Sequence, residues 1–430
     1  MKYFSLNKRS PSVSYREAVI RGIAPDGGLY FPEDIPKFRK GFIEEIRELP
    51  PVEIGMEAMQ PFVDGEIPPA VLEEILNKVL DFDFPLVALD KGISALELFH
   101  GPTMAFKDVG ARFMALSLGY FSRNSDREVT VLVATSGDTG GAVAKGFLGV
   151  PGVNVVILYP DKKVSDIQER QLTTLGRNIK ALRVKGTFDD CQRMVKKAFV
   201  DEALSESLQL TSANSINVAR WLPQMLYYLL AYRQKPDSDR NLVFSVPSGN
   251  FGNICAGMMA QQMGLPVGHF IASTNVNDTV PRFMQTSQYE PHPSTATISN
   301  AMDVGDPSNF VRILELYGGD FSHLQQNLSS YAFTDPETRA AMTRLYQQYE
   351  YVADPHGAVG YLGLKKYMVT HPETDGIFLE TAHPVKFLDV VRSTLNIEIP
   401  LPRQIREVMN REKVSIPIQA YEELRDFLMS

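Results

Sequence analysis

The 430-residue sequence contains only two cysteines, Cys191 and Cys255, and neither belongs to a C-x-x-C pair. A disulfide framework is therefore excluded, and a reducing compartment is the expected setting. Positive charge is not in excess. The 43 Lys+Arg against 51 Asp+Glu leave a formal charge of -8, which argues against a dedicated nucleic-acid surface. Long apolar runs are also missing. The longest, around 147–160, is interrupted by glycines, Pro151 and Asn154, so no membrane span is readable. The first residues lack the charged start and apolar core of a signal peptide, and a cytoplasmic location is expected. The seven histidines form no pair with metal-ligand spacing to a carboxylate or thiolate, so no metal site is expected. A G-x-x-x-x-G-K-[ST] loop and a G-x-S-x-G elbow are absent, and Gly137, Gly140 and Gly141 do not fit G-x-G-x-x-G. Nucleoside-triphosphate, serine-hydrolase and dinucleotide readings lose their usual support.

What is present is ordinary globular composition, 44% hydrophobic and 22% charged, in a chain long enough for two α/β lobes. The first ninety or so residues combine amphipathic segments with proline-rich joints. Apolar residues at 71, 72, 75, 76, 79 and 80 have helical spacing. Beyond them, four short runs rich in β-branched or apolar residues read as buried strands: 129–134, 153–158, 242–246 and 376–380. Helix-like stretches at 190–199 and 219–232 lie between. This alternation predicts an α/β fold of mostly parallel sheets with flanking helices, in two lobes. Ligands in such folds sit beyond the carboxyl ends of the strands.

Several strand ends carry polar loops. The segment 134–141 (ATSGDTGG) follows the first run and precedes a helical stretch, so its amides and the helix dipole suit an anion; a plain turn with an N-cap is the alternative. The segment 245–253 (SVPSGNFGN) repeats the arrangement. Gly249 and Gly252 let backbone close around an anion, and the loop has no lysine, which suits a permanently held phosphate. In 99–108 (FHGPTMAFKD), Lys107 has apolar neighbours before it and a helix start after it. Both lower a lysine pKa, and a neutral amine is what a Schiff-base nucleophile or general base requires. Asp108 would oppose this if it faced the amine; a solvated surface lysine is the alternative. Thr381 and His383 end the last run, where His383 is equally a cap before Pro384. In 211–220 (TSANSINVAR), Asn214, Ser215, Asn217 and Arg220 cluster at a helix start. They suit a substrate phosphate or simply cap the helix.

Taken together these strings resemble the threonine synthase family, of the long bacterial and fungal type, within the pyridoxal-phosphate enzymes of the tryptophan-synthase β fold. The resemblance rests on 13–18 (VSYREA), 24–32 (APDGGLYFP), 100–108, 134–140, 248–253, 274–278 (TNVND), 299–303 (SNAMD) and 381–384 (TAHP), in order along nearly the whole chain. It implies a mainly helical N-terminal region, 1–95, packed on the large lobe. A smaller lobe would span 96–215, with its core at about 110–210, and a large lobe 216–430. It implies pyridoxal 5'-phosphate held covalently by Lys107, with the phosphate on Gly249, Asn250, Phe251, Gly252 and Asn253, and Thr381 on the pyridine nitrogen. Asp138 would lie at the phenolic edge, where the wider fold family often has Asn. Thr135, Ser136 and Thr139 would hold the substrate carboxylate. Asn214, Asn217 and Arg220 would hold the phosphate of O-phospho-L-homoserine. The implied reaction gives L-threonine and phosphate, by a chain acting as monomer or homodimer. A phospho-lyase that only eliminates phosphate, for instance from phosphothreonine, would need the same residues.

Overall fold

The computed structural model describes residues 1–123 and 127–430. Two sheets organise them. The larger has six strands in the order β12-β11-β10-β13-β5-β4: β4 (Leu86–Asp90), β5 (Ile93–Glu97), β10 (Asn241–Pro247), β11 (His269–Thr274), β12 (Leu328–Ala332) and β13 (Thr374–Glu380). All its pairings are parallel except β4–β5. The smaller sheet has five parallel strands, β14-β8-β7-β6-β9. These are β6 (Val129–Ala134), β7 (Val153–Pro160), β8 (Ile179–Val184), β9 (Gln209–Ser212) and β14 (Ile416–Ile418). Helices cover both faces, so central strands are apolar on both sides. Every residue of β6 is buried, which is why it reads as a continuous apolar run rather than an alternating one.

The chain differs in detail from the expected partition in two places. The first 95 residues hold strands beside the expected helices. They form a three-stranded antiparallel sheet from β1 (Lys2–Ser5), β2 (Val13–Ser14) and β3 (Tyr30–Pro32), and they contribute β4 and β5 to the larger sheet. The C-terminal segment does not stay with the large lobe either. β14 pairs with β8, and the Tyr421–Met429 helix buries Leu424 and Leu428 against the core of the smaller sheet. Apolar burial drives this return, since β8 would otherwise be left as an open sheet edge.

The 219–232 stretch is not one helix. It is a helix at Val218–Trp221, a 3₁₀ turn at Leu222–Gln224 and a second helix at Met225–Gln234. Pro223 within the turn has no amide to donate and interrupts the ladder.

The carboxyl ends of β6 and β9 in one sheet and of β10 and β13 in the other face a single cleft between the lobes. Topology alone thus gathers loops from residues 134 to 381.

Candidate active site

A cavity of about 540 Å³ lies at these strand ends. Lys107, Thr135, Ser136, Thr139, Asn214, Arg220, Gly249, Asn250, Phe251, Gly252, Asn253 and Thr381 all line it. Asp138 and Asn217 do not.

Asn217 is a correction. It is fully buried, and its side-chain amide donates to the Val19 carbonyl at 2.9 Å and the Ser212 carbonyl at 3.2 Å. Its carboxamide oxygen caps the Val218–Trp221 helix through the Ala219 amide at 3.0 Å. Both ends of the group are used in holding backbone, so none is left for a ligand. Asp138 does not line the cavity but acts on the Lys107 amine through its charge. Its carboxylate meets the Lys386 ammonium at 2.6 Å and accepts from Gln168 Nε2 at 3.1 Å. Burial works against its ionisation. The charges of Lys386 and Lys107, with hydrogen bonds from Lys386 and Gln168, overcome that and hold it well below the usual carboxylate range. Thr135 lines the cavity, but its hydroxyl oxygen accepts the Gly137 amide at 2.9 Å and the Gly140 amide at 2.8 Å. It shapes the loop and retains only its own O–H to offer.

Lys107 is the first residue of the Lys107–Ser122 helix and is half-buried. Desolvation lowers its amine to about 8; Asp138 opposes this, and Lys386 and Arg220 add to it. Asp108 does not face the amine. Its two oxygens accept the Thr103 amide at 2.8 Å and hydroxyl at 2.6 Å. The Tyr227 hydroxyl donates to the Phe106 carbonyl and steadies the preceding residue.

The 248–253 loop is built for an anion. Phe251 adopts a left-handed backbone (φ +60°) immediately before the Gly252–Met263 helix. The amides of Asn250, Phe251, Gly252 and Asn253 find no acceptor among the described residues, and they converge at a positive helix end. The Asn253 side-chain nitrogen is buried without a partner. A Cβ on Gly249 would stand 2.8 Å from Met302 Cα, so only glycine admits the 300–304 segment against the loop. These orphaned donors fit a bound phosphate group. A second set lies across the cavity. Arg220, 2% exposed, donates from Nη1 to the Ala213 carbonyl, yet its Nε has no partner. Asn214 beside it donates to the Ala134 carbonyl at 3.1 Å. Gly110 makes this placement possible, because a Cβ there would meet the Arg220 carbonyl at 2.4 Å.

Some lining residues were given no role by the sequence. Among the described residues, Asp303 is the only carboxylate lining the cavity. Burial raises it to about 6 against hydrogen bonds from Thr297. His356 accepts the Ala301 amide at 3.2 Å and meets Asp354 at 2.5 Å, which anchors the same 300–304 segment. Thr297 and His356 come from irregular backbone and a distant helix, where no local pattern marks them, and the SNAMD string that ends in Asp303 gave that residue no role. His383 accepts the Val385 amide at 3.0 Å and is a cap. Among the described residues no three His, Cys, Asp or Glu groups could hold a metal ion. No helix there is long and apolar enough to cross a membrane.

Comparison with known proteins places this geometry. Residues 88–376 match the model of the pyridoxal-phosphate dependent enzymes, 2–80 that of the threonine synthase N terminus and 357–428 that of the threonine synthase C-terminal region. Threonine synthase of Escherichia coli K12 is 44% identical over 428 residues, 99% of this chain and 97% of the relative. The Haemophilus influenzae enzyme is 44% identical over 94% of each. The crystal structure of the Escherichia coli enzyme superposes with a TM-score of 0.94 at 43% identity, covering 100% of this chain and 99% of that one. A pyridoxal-phosphate-bound threonine synthase from Brucella melitensis gives 0.92 at 34% identity, covering 100% and 98%. With an amine at one strand end, an anion cradle at another and full-length similarity on both counts, the chain belongs to the threonine synthase family of pyridoxal-phosphate-dependent enzymes.

Proposed function

We propose that this cleft takes O-phospho-L-homoserine and water and releases L-threonine and inorganic phosphate. The observation that carries the reading is the presence of two separate anion-binding devices in one cavity. These are the unpartnered amides around Phe251 and the Arg220 guanidinium beside Asn214. The first serves the cofactor's phosphate, and the second is left for a phosphate on the substrate. A dehydratase acting on an unphosphorylated amino acid would need only one.

Pyridoxal phosphate supplies an electron sink for the C–H bonds that break near the substrate's amine. The protein supplies everything else. Lys107 attaches the cofactor and, as a free neutral amine, removes the α-proton and then the β-proton. The small hydroxyl residues Ser136 and Thr139, with their loop amides, hold the substrate carboxylate. Thr381 offers its hydroxyl to the cofactor ring nitrogen. Arg220 and Asn214 hold the substrate's phosphate and stabilise it as its oxygen leaves the γ-carbon. Protons return at the γ-carbon, making the methyl group, and at the α-carbon, while water supplies the hydroxyl at the β-carbon and its other proton to phosphate, so phosphate and threonine form in equal amounts.

Incubating the cofactor-loaded protein with O-phospho-L-homoserine is expected to give threonine and phosphate one to one. Turnover should fall about tenfold per pH unit below about 8 as the Lys107 amine protonates, and borohydride should label Lys107. A 2-keto acid as the sole organic product would replace this reading with the phospho-lyase.

A further inference from the structure

Lys386 is a buried cation that the proposed reaction does not use. It sits in the 3₁₀ turn Pro384–Phe387 between apolar neighbours and is 1% exposed. Its ammonium makes two contacts, to Asp138 Oδ1 at 2.6 Å and to the Thr103 carbonyl at 3.0 Å. A buried ion pair is a poor way to gain stability, because an apolar side chain of similar volume does as well or better. A role other than cohesion is the more economical reading.

The contacts of Lys386 converge on the surroundings of Lys107. Asp138 opens a helix of the smaller lobe, and Gln168 from the neighbouring Asp166–Thr173 helix donates to the same carboxylate oxygen. Thr103 lies in the loop that delivers Lys107. Its carbonyl takes Lys386 and the Gln171 amide (3.2 Å), while its amide and hydroxyl go to Asp108. Lys386 itself follows Thr381 out of β13. The charged groups acting on the Lys107 amine are Asp138, Lys386 and Arg220. Asp108 is turned toward Thr103, Tyr227 toward the Phe106 carbonyl, and His383 toward the Val385 amide. Asp138 and Lys386 are therefore opposite charges held in contact beside one amine. Their charges oppose one another at the amine.

We propose that Lys386 is a positioning residue for the reaction, pinning the Asp138 loop to the Lys107 loop and neutralising the carboxylate beside the amine. The inference rests on Lys107 as the amine that carries the cofactor.

The test is a charge cycle read by the pH midpoint of the visible absorbance of the cofactor-loaded protein and by the acid limb of kcat. Lys386→Met leaves Asp138 uncompensated and should move both upward, by on the order of one pH unit. Asp138→Asn leaves the Lys386 cation alone and should move both downward by a similar amount. The double variant should return close to the unsubstituted values. Loosened packing would not give opposite signs that cancel. If one single variant fails to fold, the other and the double still decide. Unmoved midpoints in a folded single variant, or a double variant that tracks a single one, overturn the proposal. If instead Lys107 is not the attachment site, borohydride labels a different lysine in the unsubstituted protein, so the two failures are distinguishable.

Discussion

Arg220 has no carboxylate partner among the described residues, which is unusual for a side chain so deeply buried. Burial lowers its guanidinium to about 10, with the charges of Tyr227 and Asp108 opposing, so it stays cationic at neutral pH. One of its nitrogens holds the Ala213 carbonyl and another is free. A buried donor left unsatisfied costs about 1–3 kcal/mol, a cost that an incoming phosphate removes. Arg220→Ala is therefore expected to raise KM for O-phospho-L-homoserine by about 10- to 100-fold, from the ~1.5–3 kcal/mol of a charged hydrogen bond. Arg220→Lys should recover little, since a point charge does not reproduce the planar fork. Steady-state kinetics of both variants check this, and an unchanged KM for Arg220→Ala would remove the residue from the site.

Among the elements, the loop after β6 depends on one glycine. Gly137 has φ +140°, and a Cβ there would stand 2.4 Å from Gln168 Cδ. Gln168 is held in turn by the capping box at Ser165, and its amide reaches Asp138. Gly137→Ala should cost about 1–3 kcal/mol of stability and displace Ser136 and Thr139. A drop in kcat/KM of at least about tenfold should accompany a lower urea midpoint; wild-type kinetics would show that the loop tolerates the strain.

The elements also show where sequence reading succeeds. The four apolar runs lie within β6, β7, β10 and β13, because strands buried on both faces declare themselves by composition. β8, with Lys180 and Arg183, and β9, four residues long and ending in Thr211 and Ser212, do not. Their extended form is set by pairing with neighbours. The polar loops were legible because they sit directly behind strands. Asn217 was misread because a capping asparagine and a ligand-binding one use the same groups. The ion pair of Asp138 went unread because its partner, Lys386, lies 248 positions away in sequence and only the fold brings them together.

At the scale of the whole molecule, Arg312 joins three parts of the chain. It is fully buried. It donates to the Tyr30 carbonyl at 2.9 Å in the N-terminal sheet and to the Ile216 and Ser215 carbonyls at 2.6 and 3.3 Å. Asn309 accepts at 2.6 Å, and the guanidinium stacks 4.4 Å over the Trp221 ring. The N-terminal region thereby buttresses the segment that carries Asn214 and Arg220. Arg312→Met should lower stability by about 2–4 kcal/mol through the carbonyls it leaves unpaired, read by chemical denaturation. KM should rise as well. A loss of stability with KM unchanged would limit Arg312 to cohesion.

The pairing of β14 with β8 has a consequence for how the molecule is made. The Lys185 amide finds its acceptor in Ile418, and the Val414 amide donates to Thr173. On the ribosome, β8 is synthesised more than two hundred residues before the strand that covers its edge. The nascent smaller lobe therefore waits with one flank bare, a surface open to chaperones and to wrong partners, until residues 416–418 emerge and close it.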